Sequence, residues 1–319
     1  MPPYRGFESH PLRFTPMKKL SSVIRIILTI LAFYFILRRT HPYKILSLIA
    51  HINPITYIAA IVLSFIAILF QTMRWKYFLN NETPFFKLLK IYLVSFFMGN
   101  FLPSGGLDVV RGYYLGKDMK DYEGNFAVVV MDRLTGFIAV SVLSLIAVAI
   151  GFNLPTNFRL VILVAALFLI SLLFISFNKY FYRVVREWML FVKIFNIGER
   201  FAKFYDSYFE FRSSMDRVAV GILISFLIQF SYAISAYMSM KSIGFSYPFY
   251  KFLFFVPLIN MIAMIPITIS GLGLREGGFV ALFQTGLTRE GAVLTSLLYY
   301  FSSLIASLAG GIILLFGKV

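Results

Sequence analysis

The chain has 319 residues, 59% hydrophobic and only 14% charged, with 30 Lys and Arg against 14 Asp and Glu for a net charge of +16. A soluble domain carries about a quarter charged residues, so this composition, with a mean hydropathy of +0.81, reads as an all-α polytopic membrane protein. The absence of cysteine excludes disulfides and thiolate metal sites, and the basic surplus fits cytoplasmic loops facing anionic headgroups rather than nucleic acid.

Residues 1–19 form a proline-rich, basic segment, and the apolar run 20–38 ends at Arg38-Arg39 without a small-residue cleavage site. That pattern reads as a retained first helix rather than a cleaved signal. Further apolar runs of spanning length follow at about 54–73, 123–151, 155–177, 218–240 and 290–317. Two more apolar regions, about 85–118 and 248–287, are broken near the middle by Gly-rich motifs. The first break carries Pro103, Ser104, Gly105 and Gly106; the second carries Pro266, Ser270, Gly271 and Gly273. Each broken region is either two crossings or one re-entrant hairpin. Between the two halves, 178–217 alternates aromatic and basic residues at near-helical spacing, as helices lying in the membrane interface do. Such helices serve either as anchors or to recruit lipid headgroups.

Charge placement selects the topology. With both broken regions re-entrant, from opposite faces, nineteen of the 30 Lys and Arg fall on the cytoplasmic side and seven outside. This bias follows the positive-inside rule and places both termini in the cytoplasm; in a bacterial or archaeal host the membrane expected is the cytoplasmic one. The fold expected is about six transmembrane helices plus two re-entrant hairpins in one domain, 20–317. A repeat supports it: Pro84-Phe-Phe-Lys87 recurs as Pro248-Phe-Tyr-Lys251, and Arg111 and Arg275 share the offset of 164. Leu63-Ser-Phe and Ile224-Ser-Phe precede these motifs at similar distances, and on this topology the copies are inverted.

Six ionisable residues lie inside the apolar regions: Asp108, Arg111, Asp132, Arg133, Arg275 and Glu276. A charge at the bilayer centre costs at least about 2.5 kcal/mol, so the six must pair or line a polar cavity. Asp108 and Arg111 are three apart and share a helix face. One reading makes all six structural ion pairs that fix helix register. The other makes Arg111, Arg133 and Arg275 an anion site, aided by Asn100, Ser104 and Ser270 and by N–H groups at hairpin tips. Asp108, Asp132 and Glu276 then balance the charge or exchange a proton. Asn260 and Thr268 lie near the second break, where they bind the same ligand or satisfy freed backbone groups. His10, His41 and His51 lie outside the apolar spans, so no metal and no cofactor is implied.

Asn100-Phe-Leu-Pro-Ser-Gly-Gly-Leu-Asp-Val-Val-Arg111, Val130-Met-Asp-Arg-Leu-Thr-Gly136 and Ser270-Gly-Leu-Gly-Leu-Arg-Glu-Gly277 resemble the lysylphosphatidylglycerol synthase transmembrane-region family, also called the flippase-like domain family. The resemblance covers about 20–317. It implies a membrane region that flips lipids, in some members an aminoacylated phospholipid made by a fused synthase domain. Other members stand alone or beside glycosyltransferases. No synthase domain follows here, so the resemblance implies lipid translocation without aminoacyl transfer. Three functions remain open at this point: a translocase for an anionic or phosphate-bearing lipid, a membrane enzyme or subunit working with a glycosyltransferase on polyprenyl-linked sugars, and a small-anion transporter. The partner implied in the first case is the membrane lipid itself, with a separate lipid-modifying enzyme or glycosyltransferase as a further partner.

Overall fold

The computed structural model describes residues 31, 34, 38, 40–79, 83–100, 106–150, 156–191, 197–263, 268 and 271–316. The described residues form helices joined by turns and short irregular connections. The elements are α1 Pro42–Ala50, α2 Pro54–Leu79, α3 Phe85–Gly99, α4 Gly106–Met119, α5 Tyr122–Ala149 and α6 Thr156–Ser176. They continue with α7 Lys179–Phe191, α8 Ile197–Phe209, a 3-10 turn Glu210–Ser213, α9 Met215–Ser242, α10 Phe249–Ala263, α11 Leu274–Phe283 and α12 Arg289–Phe316. Segment 1–19 and most of the run 20–38 lie outside the described residues.

Among the described residues, α2, α5, α9 and α12 are long and apolar enough to cross a bilayer. Helix α6 is apolar on every side and exposes Val164, Leu167, Phe168 and Ile170, as a lipid-facing helix does. The broken regions resolve into pairs of short helices, α3 with α4 and α10 with α11, each pair packed together. Their lengths of 15, 14, 15 and 10 residues give arms of about 22 Å or less at 1.5 Å per residue. Each arm is short of the roughly 30 Å hydrocarbon core, which fits hairpins better than crossings. In the second hairpin the backbone leaves the helix at Gly271 and Gly273, whose φ values are +72° and +87°. A side chain at Gly271 would in addition meet the Ala263 carbonyl at 2.6 Å, so the break demands glycine twice over. In the first hairpin α4 starts at Gly106; Pro103, Ser104 and Gly105 lie outside the described residues, as do Pro266 and Ser270 of the second.

The repeat appears in the packing. Exchanging α2, α3, α4 and α5 with α9, α10, α11 and α12 leaves the contact pattern intact: α3 packs on α12 as α10 packs on α5, and α2 packs on α12 as α9 packs on α5. Helices α2 and α9 run antiparallel along their whole length. Asn53 N–H donates to the Ser242 carbonyl at 2.7 Å, Ser64 meets Ser235 at 2.9 Å, and Arg74 meets Ser225 at 2.7 Å. Antiparallel equivalents require a two-fold axis across the helices, hence inverted copies. Gln71 and Tyr232 share the offset that relates Ser64 to Ser225, and they touch at 2.8 Å, so the axis passes through that contact.

Two apolar clusters hold the halves together. One gathers Trp75, Leu88, Tyr92, Leu115 and Met131; the other gathers Phe252, Phe255, Phe279, Phe283 and Leu287. Helix α12 approaches α3 so closely that a Cβ at Gly310 would sit 2.1 Å from the Leu93 carbonyl. Two expectations need correction. The stretch before residue 54, for which no element was expected, contains helix α1, which packs on α12. The span read as 54–73 continues to Leu79, because the charge at Arg74 is neutralised within the protein and does not end the helix.

Segment 178–217 is helical, and α7 is strongly two-sided. Tyr180, Val184 and Trp188 form an exposed stripe, while Tyr182 stacks on Phe209 of α8 at 4.2 Å and Arg186 pairs with Asp206 at 3.0 Å.

Candidate functional site

The charged residues of the first half converge on one chain of ion pairs. Helix α5 places Asp132 two to three turns inside its N-terminus, α4 places Asp108 and Arg111 one turn apart, and α2 brings Arg74. Asp132 Oδ1 accepts from Arg74 Nε at 2.6 Å, and its Oδ2 lies 2.8 Å from Arg111 Nη1. Asp108 Oδ1 lies 2.8 Å from Arg111 Nη2, and its Oδ2 accepts from Arg133 Nε at 2.5 Å. The order is therefore Arg74, Asp132, Arg111, Asp108, Arg133, with every carboxylate oxygen engaged by a guanidinium. Arg111 and Asp132 are each 1% exposed. The Arg111 guanidinium also lies over the rings of Trp75 at 5.6 Å and Tyr92 at 5.4 Å, a favourable desolvated cation–π setting. Neighbours on α5, Asp132 and Arg133 point to different partners, as their spacing requires.

Arg275, the counterpart of Arg111 in the second half, has a different setting. It is half-buried, with its guanidinium 5.0 Å from the centre of the Tyr300 ring and 6.0 Å from that of Tyr299. Glu276, fully buried, was expected to balance an arginine. Its carboxylate instead accepts from the Gly273 N–H at 2.5 Å and from Ser296 Oγ at 3.0 Å. It closes the exposed N-terminus of α11, where a negative group also meets the positive end of the helix dipole.

These groups surround a cavity of about 330 Å³ on the pseudo-two-fold axis. Its wall carries Arg74, Arg111, Arg133 and Arg275 together with Asp132, the Asp108 carboxylate lying behind. Four guanidiniums face two carboxylates there; with Glu276 counted as well, a positive excess remains. Tyr92, Tyr232, Tyr299 and Tyr300 give the wall an aromatic surface. Amides complete it: Gln71 receives the Tyr92 hydroxyl at 2.9 Å and donates to Tyr232, while Asn260 Nδ2 donates to the Tyr299 hydroxyl at 2.9 Å. Asn100 lines the cavity and donates to Phe96 and Ser307. Thr268 is 3% exposed with its hydroxyl buried and without a hydrogen-bond partner. Of the residues expected at the site, Asn100, Gly106, Arg111, Asp132, Arg133, Asn260 and Arg275 line this one cavity.

Sequence reasoning missed several participants. Arg74 lies just beyond the apolar run read as 54–73, yet it is 6% exposed and anchors the ion-pair chain. The clue was present: Trp75 and Phe78 continue the apolar pattern past it, so the helix had no reason to stop. Gln71, Gln229 and the four tyrosines carry no charge and gave no signal within an aromatic-rich chain.

Comparison with known proteins agrees with this architecture. The family model described as the lysylphosphatidylglycerol synthase TM region matches residues 22–311. A UPF0104 membrane protein of Methanothermobacter thermautotrophicus is 27% identical over 292 residues, covering 83% of this chain and 86% of the relative. Another UPF0104 membrane protein, from Pyrococcus horikoshii, is 24% identical over 287 residues, covering 80% and 85% respectively. With three sequence motifs in order, an inverted all-helical repeat and a match over nearly its whole length, the chain belongs to the lysylphosphatidylglycerol synthase transmembrane-region family.

Proposed function

We propose that the protein is a lipid translocase whose cavity takes the phosphate-bearing headgroup of an anionic lipid while the acyl or polyprenyl chains remain in the bilayer. The observation that carries this reading is the cavity itself: it sits where the two hairpins and the antiparallel α2–α9 pair meet, with more guanidinium than carboxylate on its wall. Buried arginine recognises phosphate through its fixed fork of donors, and unwound backbone between inverted halves is the usual place for a transported group. Arg133 and Arg275, both only partly buried, are the headgroup contacts; Arg111, held by two carboxylates, sets the field behind them. Rocking of one half against the other around the axis would present the cavity to each leaflet in turn. The reading places the chain in the cytoplasmic membrane with both termini inside, and assigns it transport rather than catalysis.

The test is reconstitution of the purified chain into liposomes containing a fluorescent anionic lipid, with a membrane-impermeant quencher reporting the outer leaflet. Loss of the protected inner-leaflet fraction, abolished by Arg275→Ala at unchanged insertion, is the result expected. Anion flux without lipid movement, or chemical conversion of the lipid, would replace this reading with one of the other two.

A further inference from the structure

We propose that the cavity selects a net-anionic headgroup bearing hydroxyls, such as a glycerol phosphate or a sugar phosphate, and rejects a headgroup carrying an ammonium. This rests on the translocase reading and names the substrate class of the same site.

Recognition of an ammonium beside four guanidiniums needs a carboxylate that is not already paired. The two carboxylates at this cavity are already ion-paired with guanidiniums, although Asp108 Oδ1 makes no hydrogen bond in its pairing. Both Asp132 oxygens are taken by Arg74 and Arg111, and both Asp108 oxygens by Arg111 and Arg133. Freeing one would leave a buried guanidinium unpaired, so an incoming cation cannot simply displace them. The third nearby carboxylate, Glu276, is 0% exposed, closes α11 and is not part of the wall. An ammonium entering the cavity would meet four guanidiniums and no available counter-charge; like charges brought together in this way are a strong means of rejection.

What remains on the wall suits a phosphate with neighbouring hydroxyls. The Tyr232 hydroxyl accepts from Gln71, and the Tyr299 hydroxyl accepts from Asn260, so each phenol retains its own proton for a further acceptor. Gln229 is 8% exposed, lines the cavity, and its Oε1 is buried with no hydrogen-bond partner. A buried acceptor left unmatched is costly, and a ligand hydroxyl would satisfy it. Guanidiniums for the phosphate, two phenol donors and one amide acceptor form a recognition set that offers a cation no unpaired carboxylate.

The experiment compares three labelled lipids in proteoliposomes of the full chain: phosphatidylglycerol, its lysyl ester, and a polyprenyl phosphate sugar. In parallel, detergent-solubilised protein is titrated with the same lipids while thermal unfolding is followed. At least about a tenfold preference for the anionic lipids over the lysyl ester is expected in both measurements, and which anionic lipid leads separates a phospholipid from a sugar carrier. Two substitutions sharpen it. Gln229→Glu places a free carboxylate on the wall and should narrow the preference, whereas Gln229→Leu should weaken anionic binding without favouring the lysyl ester. Equal or better stabilisation by the lysyl ester overturns the selectivity. Selective binding without movement of any lipid keeps the selectivity and removes the translocase reading.

Discussion

The two halves of this protein solve the same packing problem with different chemistry. On the α12 side, Ser64, Ser235 and Ser302 meet where α2, α9 and α12 cross, at 2.9 Å, 2.9 Å and 3.2 Å. The two-fold carries Ser64 to Ser225, Ser235 to Arg74 and α12 to α5. The equivalent crossing on the α5 side is therefore Ser225, Arg74 and Asp132, joined at 2.7 Å and 2.6 Å. Three neutral hydroxyls suffice to hold one crossing. Ionic groups at the other are more than the architecture needs, since buried charge is costly and apolar or neutral replacements often pack as well. The difference makes the charged crossing the feature that the proposed headgroup site requires and packing alone does not.

The sharpest way to break this comparison is to remove its central charge. Asp132→Asn leaves Arg74 and Arg111 facing one another in a buried site and should cost about 3–5 kcal/mol, read as a large fall in thermal unfolding temperature in detergent. Replacing partners together is the counter-test. Arg74→Met with Asp132→Leu leaves Arg111 matched to Asp108, and should recover most of that loss while translocation stays abolished. If the double variant translocates, the charges serve the fold alone. Next in size is Gly310→Ala, which sets a methyl group 2.1 Å from the Leu93 carbonyl and forces α3 and α12 apart; overpacking of this kind costs about 1–3 kcal/mol, visible in the same melt. Ser302→Ala should cost only about 1 kcal/mol, and a loss equal to that of Asp132→Asn would show the two crossings to be energetically alike. The smallest stability effect belongs to Arg133→Ala, which is partly exposed; its signature is a roughly tenfold slower lipid movement with little change in unfolding.

Much of this was legible in the sequence. The hairpins announced themselves through Gly271 and Gly273, because only glycine tolerates the positive φ found there. The offset of 164 between Arg111 and Arg275 exposed the repeat before any coordinates. Asp108 and Arg111 were paired correctly by helical spacing, since that is a local rule. Partners distant in the chain were not readable: Asp132 meets Arg74 across 58 residues, and nothing local ties them. Glu276 was assigned by charge alone, whereas its neighbours are a backbone N–H and a hydroxyl, groups that every helix start and every serine possess. The serine triad gave no sign because a hydroxyl in an apolar helix usually bonds its own backbone, as Ser239 does to the Ser235 carbonyl at 2.9 Å.

The serine crossing also has a mechanical consequence. Ser235 donates to the Ala60 carbonyl at 2.9 Å and Ser302 to the Tyr299 carbonyl at 2.7 Å, so the Ser64 hydroxyl can turn its proton between the other two. Arginine and carboxylate forks allow no such freedom. Helix α12 is thus held on α2 and α9 by a rotating hydroxyl, whereas α5 is held on the same pair by charged forks that fix its angle.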